Sequence, residues 1–184
     1  MNKDKERVPY LKGERVSLYI LTPDDTLALC QMINQEEMKE CLSTYVPIMT
    51  NEEREWLEAL PGHTPHDFVF EIILNEGGSF IGNIGLYRVN QVDRTATVGL
   101  FISDQTNREY DMGREAGEII KRFAFETLNL RKLRYDVLAH NERSLKLGQD
   151  LGGHEEGRLV KEYFINDRYV DLVILAIFRQ DEKE

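Results

Sequence analysis

The stretch QTNREYDMGREA at 105–116 follows the apolar run VGLFIS and leads into a segment of helical spacing. A strand-to-helix junction holding one glycine, two arginines and an aspartate suits a phosphate. The first amides of a helix lack carbonyl partners, and the helix dipole favours negative charge there. The same residues also make an ordinary charged turn, and the stretch alone does not separate the two readings. Glu71, set among apolar residues in DFVFEIILN, either faces a cleft as a base or points outward from a half-buried strand. Asn141 is placed to cap a helix, with Ser144 one turn along. His63, His66, His140 and His154 show no metal-ligand spacing, and Cys30 and Cys41 form no CxxC pair, so no metal site is expected.

The elements that must hold these residues are legible from periodicity. RVSLYIL (15–21) alternates as a first strand. TPDD (22–25) starts a helix, with Thr22 as cap, that carries its apolar positions to about residue 42. NEEREWLEAL (51–60) repeats the design with Asn51 as cap, and PGHTPH (61–66) ends it. DFVFEIILN (67–75) and SFIGNIGLYRV (79–89) form a hairpin about the turn NEGG (75–78). ATVGLFIS (96–103) is apolar on both faces, which places it centrally in a sheet. REAGEIIKRFAFETL (114–128) is an amphipathic helix and KLRYDVLA (132–139) a strand. NERSLKLGQDL (141–151) is a short helix and GGHEEG (152–157) a turn. RLVKEYFI (158–165) and YVDLVILAIF (169–178) are strands joined by NDR (166–168). The order β-α-α-β-β-β-α-β-α-β-β gives an α/β or α+β fold with a mixed sheet.

The chain has 184 residues, 41 % apolar, and no linker divides it, so one domain over 1–184 is expected. No apolar run approaches the roughly 20 residues that span a bilayer, and the N-terminus lacks a signal-like apolar stretch. A cytoplasmic protein is therefore expected, with no membrane partner. The formal charge of −10 is the reverse of a nucleic-acid binder's and suits a cationic small molecule or basic peptide, or serves solubility alone.

In order and spacing, four stretches resemble the GNAT-fold N-acetyltransferases, nearest the ribosomal-protein serine/alanine N-acetyltransferase branch. They are IGNIGLYRV (81–89), VGLFIS with the following Arg108–Gly113, NERSLKLGQDLGG (141–153), and the final hairpin with its R-Y-x-D element at Arg168, Tyr169 and Asp171. The resemblance implies a mixed, mostly antiparallel sheet flanked by helices, with a splayed central strand pair. It implies transfer of acetyl from acetyl-coenzyme A to a primary amine, either a protein N-terminus or a small molecule, by direct attack. Phosphate contacts would come from the backbone of Arg108, Met112, Gly113 and Arg114. The pantetheine arm would lie along Phe101 and Ile102 and bond Asn141. Ser144 would border the arm and serve as the acid, Glu162 as the base, and Tyr163 as a second acid or a substrate contact. A homodimer through the last strands also follows from the resemblance.

The chain departs from the family pattern at Asp111, in place of the first glycine of the phosphate loop, at Thr97, where many relatives carry glutamate, and at Gly148, where many carry a tyrosine acid. These departures leave a second reading open, in which the fold is kept for binding or regulation and turnover is lost.

Overall fold

A computed structural model describes residues 7–42, 46–60, 67–103 and 108–179. One eight-stranded sheet organises them, in the order β1-β2-β3-β4-β5-β6-β8-β7. Strands β1 (Leu11–Lys12), β2 (Val16–Ile20), β3 (Phe68–Leu74), β4 (Phe80–Asn90) and β5 (Thr95–Ile102) form an antiparallel half. Strands β6 (Lys132–Leu138), β8 (Arg168–Phe178) and β7 (His154–Ile165) form a second antiparallel half. Only β5 and β6 run parallel, where the halves meet. The apolar run at 96–103 is thus central, as its two-faced hydrophobicity predicts.

Helix α4 (Arg108–Arg122) crosses from β5 to β6 and buries Ala116, Ile119, Ile120 and, just beyond its end, Phe123. Spacings of three and four put these side chains on one stripe, against Leu18, Ile72, Ile84 and Leu133. The other sheet face is covered by α1 (Thr26–Ile33), α2 (Glu36–Leu42) and α3 (Thr50–Ala59). Their Leu29, Met38 and Leu57 pack on Val69 and Phe101. Helix α5 (Glu142–Asp150) follows β6 and packs Leu147 and Leu151 beside α4.

Several elements differ from the sequence expectation. The helix expected from Thr22 to residue 42 is broken. Asn34 turns its side chain onto Ile48, accepting from the Ile48 amide at 2.8 Å and donating to its carbonyl at 2.9 Å, and α2 starts anew at Glu36. Met49, rather than Asn51, caps α3 through its backbone, because Glu52 reaches back to the Met49 amide at 3.4 Å. Helix α4 opens six residues before the expected start at Arg114, and a π turn closes it over Phe123–Thr127. Only Gly152 and Gly153 of GGHEEG turn, and His154 already lies in β7. The NDR hairpin closes with Asn166 and Asp167 both at positive φ (48° and 60°), the conformation that matches strand twist in a two-residue loop.

Candidate active site

The pairing of β5 with β6 covers only Thr95–Val98 against Lys132–Tyr135. Both strands continue, β5 to Ile102 and β6 to Leu138, without further pairing to each other. Between their parted edges lies a cleft of about 560 Å³, bordered by Gly99–Ile102 on one side and by Tyr135–Leu138 on the other. It opens to both faces of the sheet. Toward α4 and α5 it is walled by Gly113, Ser144 and Leu147, and toward α2 by Met38 and Leu42. Phe101, Ile102, Gly113, Asn141, Ser144 and Tyr163, all expected site residues, line this one space.

Asn141 caps α5, its Oδ1 accepting from the Ser144 amide at 3.0 Å. That bond fixes the first turn of α5 beside the split. The Ser144 hydroxyl lies 2.7 Å from the phenol oxygen of Tyr135, which reaches across from β6. Burial pushes the Tyr135 phenol above its ordinary value and outweighs the opposing bond to Ser144. The phenol therefore keeps its proton, and either oxygen can be the donor in the bond between them. Gly148 makes room for this ring. A Cβ there would stand 2.4 Å from Leu175 Cδ1 and 2.8 Å from Tyr135 Cδ1. The space that a side chain at 148 would need is thus filled from β6.

At the other end, the early start of α4 changes which amides are open. Those of Met112, Gly113 and Arg114 lie in its second turn, where the helical ladder takes them up. The amides that a helical ladder leaves without a carbonyl belong to the first turn, which here begins at Arg108. Residues 104–107 and the side chain of Arg108 lie outside the described residues. Met112 packs on the core, and Arg114 is exposed. Gly113 is buried against the cleft wall, and a Cβ on it would lie 3.3 Å from Ile102 Cδ1. Leu147 and Leu100 would meet that Cβ at 3.6 and 3.8 Å, so the bare backbone lets α4 sit close against the cleft wall. The charge of Asp111 is offset by Arg15, 3.3 Å away. The neighbouring Glu115 accepts from the amides of Glu14 at 2.6 Å and Arg15 at 2.9 Å, tying α4 to the β1–β2 turn.

On the α2 side, Tyr163 faces the cleft, whereas Glu162 is exposed and outside it. A bulge in β7 between Leu159 and Tyr163 sets this register. Lys161 sits in it at φ 55°, and its amide donates to Asp171 at 2.8 Å. The aspartate of the R-Y-x-D element therefore holds the bulge that turns Tyr163 inward and Glu162 outward. Asp136 also lines the cleft, with Arg134 Nε donating to its Oδ1 at 2.6 Å. Sequence reasoning missed Asp136. Its only signal was a charged residue on a strand that borders the split.

Glu71 does not border the cleft. It is 1 % exposed and chelated by Arg7, which donates to both carboxylate oxygens and, at 3.2 Å, to Asp25. Burial raises Glu71 to about 7 against the pull of Arg7. Thr97 lies in the paired part of β5, below the split. His63 and His66 lie outside the described residues. His140 and His154 are not cleft residues, and His154 stacks on Phe178 at 5.6 Å. Among the described residues no group of three histidines, cysteines or carboxylates is placed to hold a metal, and no helix is long and apolar enough to cross a membrane.

Known proteins are similar to this chain in sequence or in fold. The SPbeta prophage-derived uncharacterized N-acetyltransferase YokL of Bacillus subtilis is 24 % identical over 175 residues, 95 % of this chain and 96 % of its own. The crystal structure of spermidine N-acetyltransferase from Vibrio cholerae in complex with CoA and spermine superposes with a TM-score of 0.76 at 24 % identity, covering 90 % of this chain and 96 % of that one. Ribosomal-protein-S5-alanine acetyltransferase from Vibrio fischeri superposes with a TM-score of 0.79 at 17 % identity, covering 96 % and 100 %. The family model described as acetyltransferase (GNAT) domain matches residues 15–154, from the first long strand through both lips of the split to the end of α5. With the parted strands and a family-model match over most of its length, this chain belongs to the GNAT acetyltransferase family.

Proposed function

We propose that the protein acetylates a primary amine with acetyl-coenzyme A, in one complex and by direct attack. The observation that carries this is the split between β5 and β6, with a serine hydroxyl and a bare glycine backbone on its walls. The phosphates rest on the open first turn of α4, where amides and dipole both favour an anion. The arm enters past Gly113 and pairs with the free edge of β5 at Phe101 and Ile102, with Asn141 beside it. The acceptor comes from the α2 side, where Tyr163 touches it. Its nitrogen attacks the thioester carbonyl, and amides of the β5 edge stabilise the oxyanion. The carbon–sulfur bond then breaks. Ser144 gives its proton to the departing thiolate and is restored by the proton that the nitrogen sheds, so the products are an amide and a thiol.

Titration calorimetry with acetyl-coenzyme A, followed by turnover with a panel of primary amines, tests the reading. Ser144→Ala is expected to lower kcat by ~10²-fold or more, the usual scale for a positioned proton donor, with acetyl-coenzyme A binding retained. Absence of acetyl-coenzyme A binding by folded protein refutes the proposal.

A further inference from the structure

The walls of the acceptor half of the cleft are apolar. Cross-strand pairing puts Leu138 beside Leu172 and Val170 beside Tyr163 on the sheet face away from α4. Met38 and Leu42 of α2 close the same space from above, next to Phe101. Among the described residues of the whole cleft the sole carboxylate is that of Asp136, and Arg134 already holds one of its oxygens at 2.6 Å. The other cationic or anionic side chain there is that of Arg143.

From these apolar walls we infer that the acceptor is a primary amine carried on an apolar body. The inference rests on the acetyltransferase reading and narrows it. The amine nitrogen meets the carboxylate of Asp136, which borders the cleft and accepts from Arg134. The carbon skeleton behind it lies on Leu138, Leu172 and Tyr163. A polyamine carries two or more further ammonium groups along its chain. In this cleft they would leave water for the apolar wall of Leu138, Leu172 and Tyr163, a placement that costs heavily without paired carboxylates. The apolar amine can come from a free arylalkylamine or from a chain that begins with an apolar residue, and both present the same chemistry to the wall.

The test compares kcat/KM for 2-phenylethylamine, for a tripeptide with an N-terminal leucine, for propylamine and for spermidine, each at saturating acetyl-coenzyme A. An apolar pocket discriminates by about tenfold or more for each methylene it covers. At least one of the two apolar acceptors is thus expected to exceed both propylamine and spermidine by about tenfold or more, and whichever leads identifies the source. Asp136→Asn is expected to raise KM for that acceptor about tenfold with KM for acetyl-coenzyme A unchanged. Leu42→Glu, on a partly exposed helix position, is expected to shift the preference toward spermidine. Spermidine preferred by the wild type, or Asp136→Asn leaving the acceptor KM unchanged, overturns the inference while the transferase reading stands. Failure to bind acetyl-coenzyme A overturns the transferase reading, and the inference falls with it.

Discussion

Glu71 gives the sharpest quantitative prediction, because two large effects oppose each other on one carboxylate. Its side chain is almost fully buried on β3, which favours the neutral form, while the Arg7 guanidinium bonds both oxygens, which favours the charged form. Burial is the larger effect, and Asp25 adds to it by repulsion, so the group is carried from 4.5 to about 7. Below pH 4.5 Glu71 is protonated in the folded and unfolded chain alike. Between 4.5 and about 7 the folded chain holds a proton that the unfolded chain has released, so rising pH favours unfolding. Its contribution is thus fully present below 4.5 and lost by about 7. A span of about 2.5 pH units at ~1.36 kcal/mol each corresponds to about 3 kcal/mol. Asp25 works in the opposite direction. Burial acts against it too, but the Thr22 hydroxyl and amide together with Arg7 hold it below its ordinary value, so its contribution is lost as pH falls. Comparison with Glu71→Gln isolates the first effect, since glutamine copies the neutral carboxyl and leaves Arg7 its bonds to Asp25 and the Ile20 carbonyl. In urea unfolding, the variant is expected to match the wild type near pH 4.5 and to exceed it by about 3 kcal/mol at pH 8. A difference that is flat with pH, or a wild type that gains on the variant as pH rises, would show that Arg7 defeats burial and refute the reasoning.

Three further outcomes follow from the geometry. Gly113→Leu crowds the cleft wall at Ile102, Leu147 and Leu100; acetyl-coenzyme A affinity by calorimetry should fall by at least about tenfold, and the melting temperature should fall too, because overpacking a buried site costs about 1–3 kcal/mol against the ~1 kcal/mol that leucine gains as a helix former. Tyr135→Phe removes the partner of Ser144; kcat should fall with KM for acetyl-coenzyme A unchanged, and the defect should vanish in a Ser144→Ala background, whereas a packing role would give additive losses. Glu115→Ala strips the acceptor from the Glu14 and Arg15 amides and should cost about 2 kcal/mol in urea unfolding, on the scale of hydrogen bonds to a charged group.

The strands were legible because their signal is local. Alternation in RVSLYIL and two-faced hydrophobicity in ATVGLFIS fix burial one residue at a time, and β2 and β5 lie where those patterns put them. Helix ends were less legible, since each depends on a partner distant in sequence. Asn34 breaks the first helix by bonding Ile48, fourteen residues on, and the opening turns of α4 are fastened through Glu115 to amides about a hundred residues away. The site shows the same division. Asn141 and Ser144 share one helix turn, and their spacing alone brings them together. Tyr135 reads in sequence as one more inward strand residue, and only the absence of a side chain at Gly148 lets its ring reach Ser144. Glu162 was misplaced for a related reason. Its orientation hangs on a bulge held by Asp171 from the next strand, and a single inserted residue exchanges the two faces of a strand. Glycine-for-tyrosine at 148 thus reads as a lost acid in one dimension. In three dimensions it admits a phenol from a different strand, within hydrogen-bonding distance of the serine that faces the cleft.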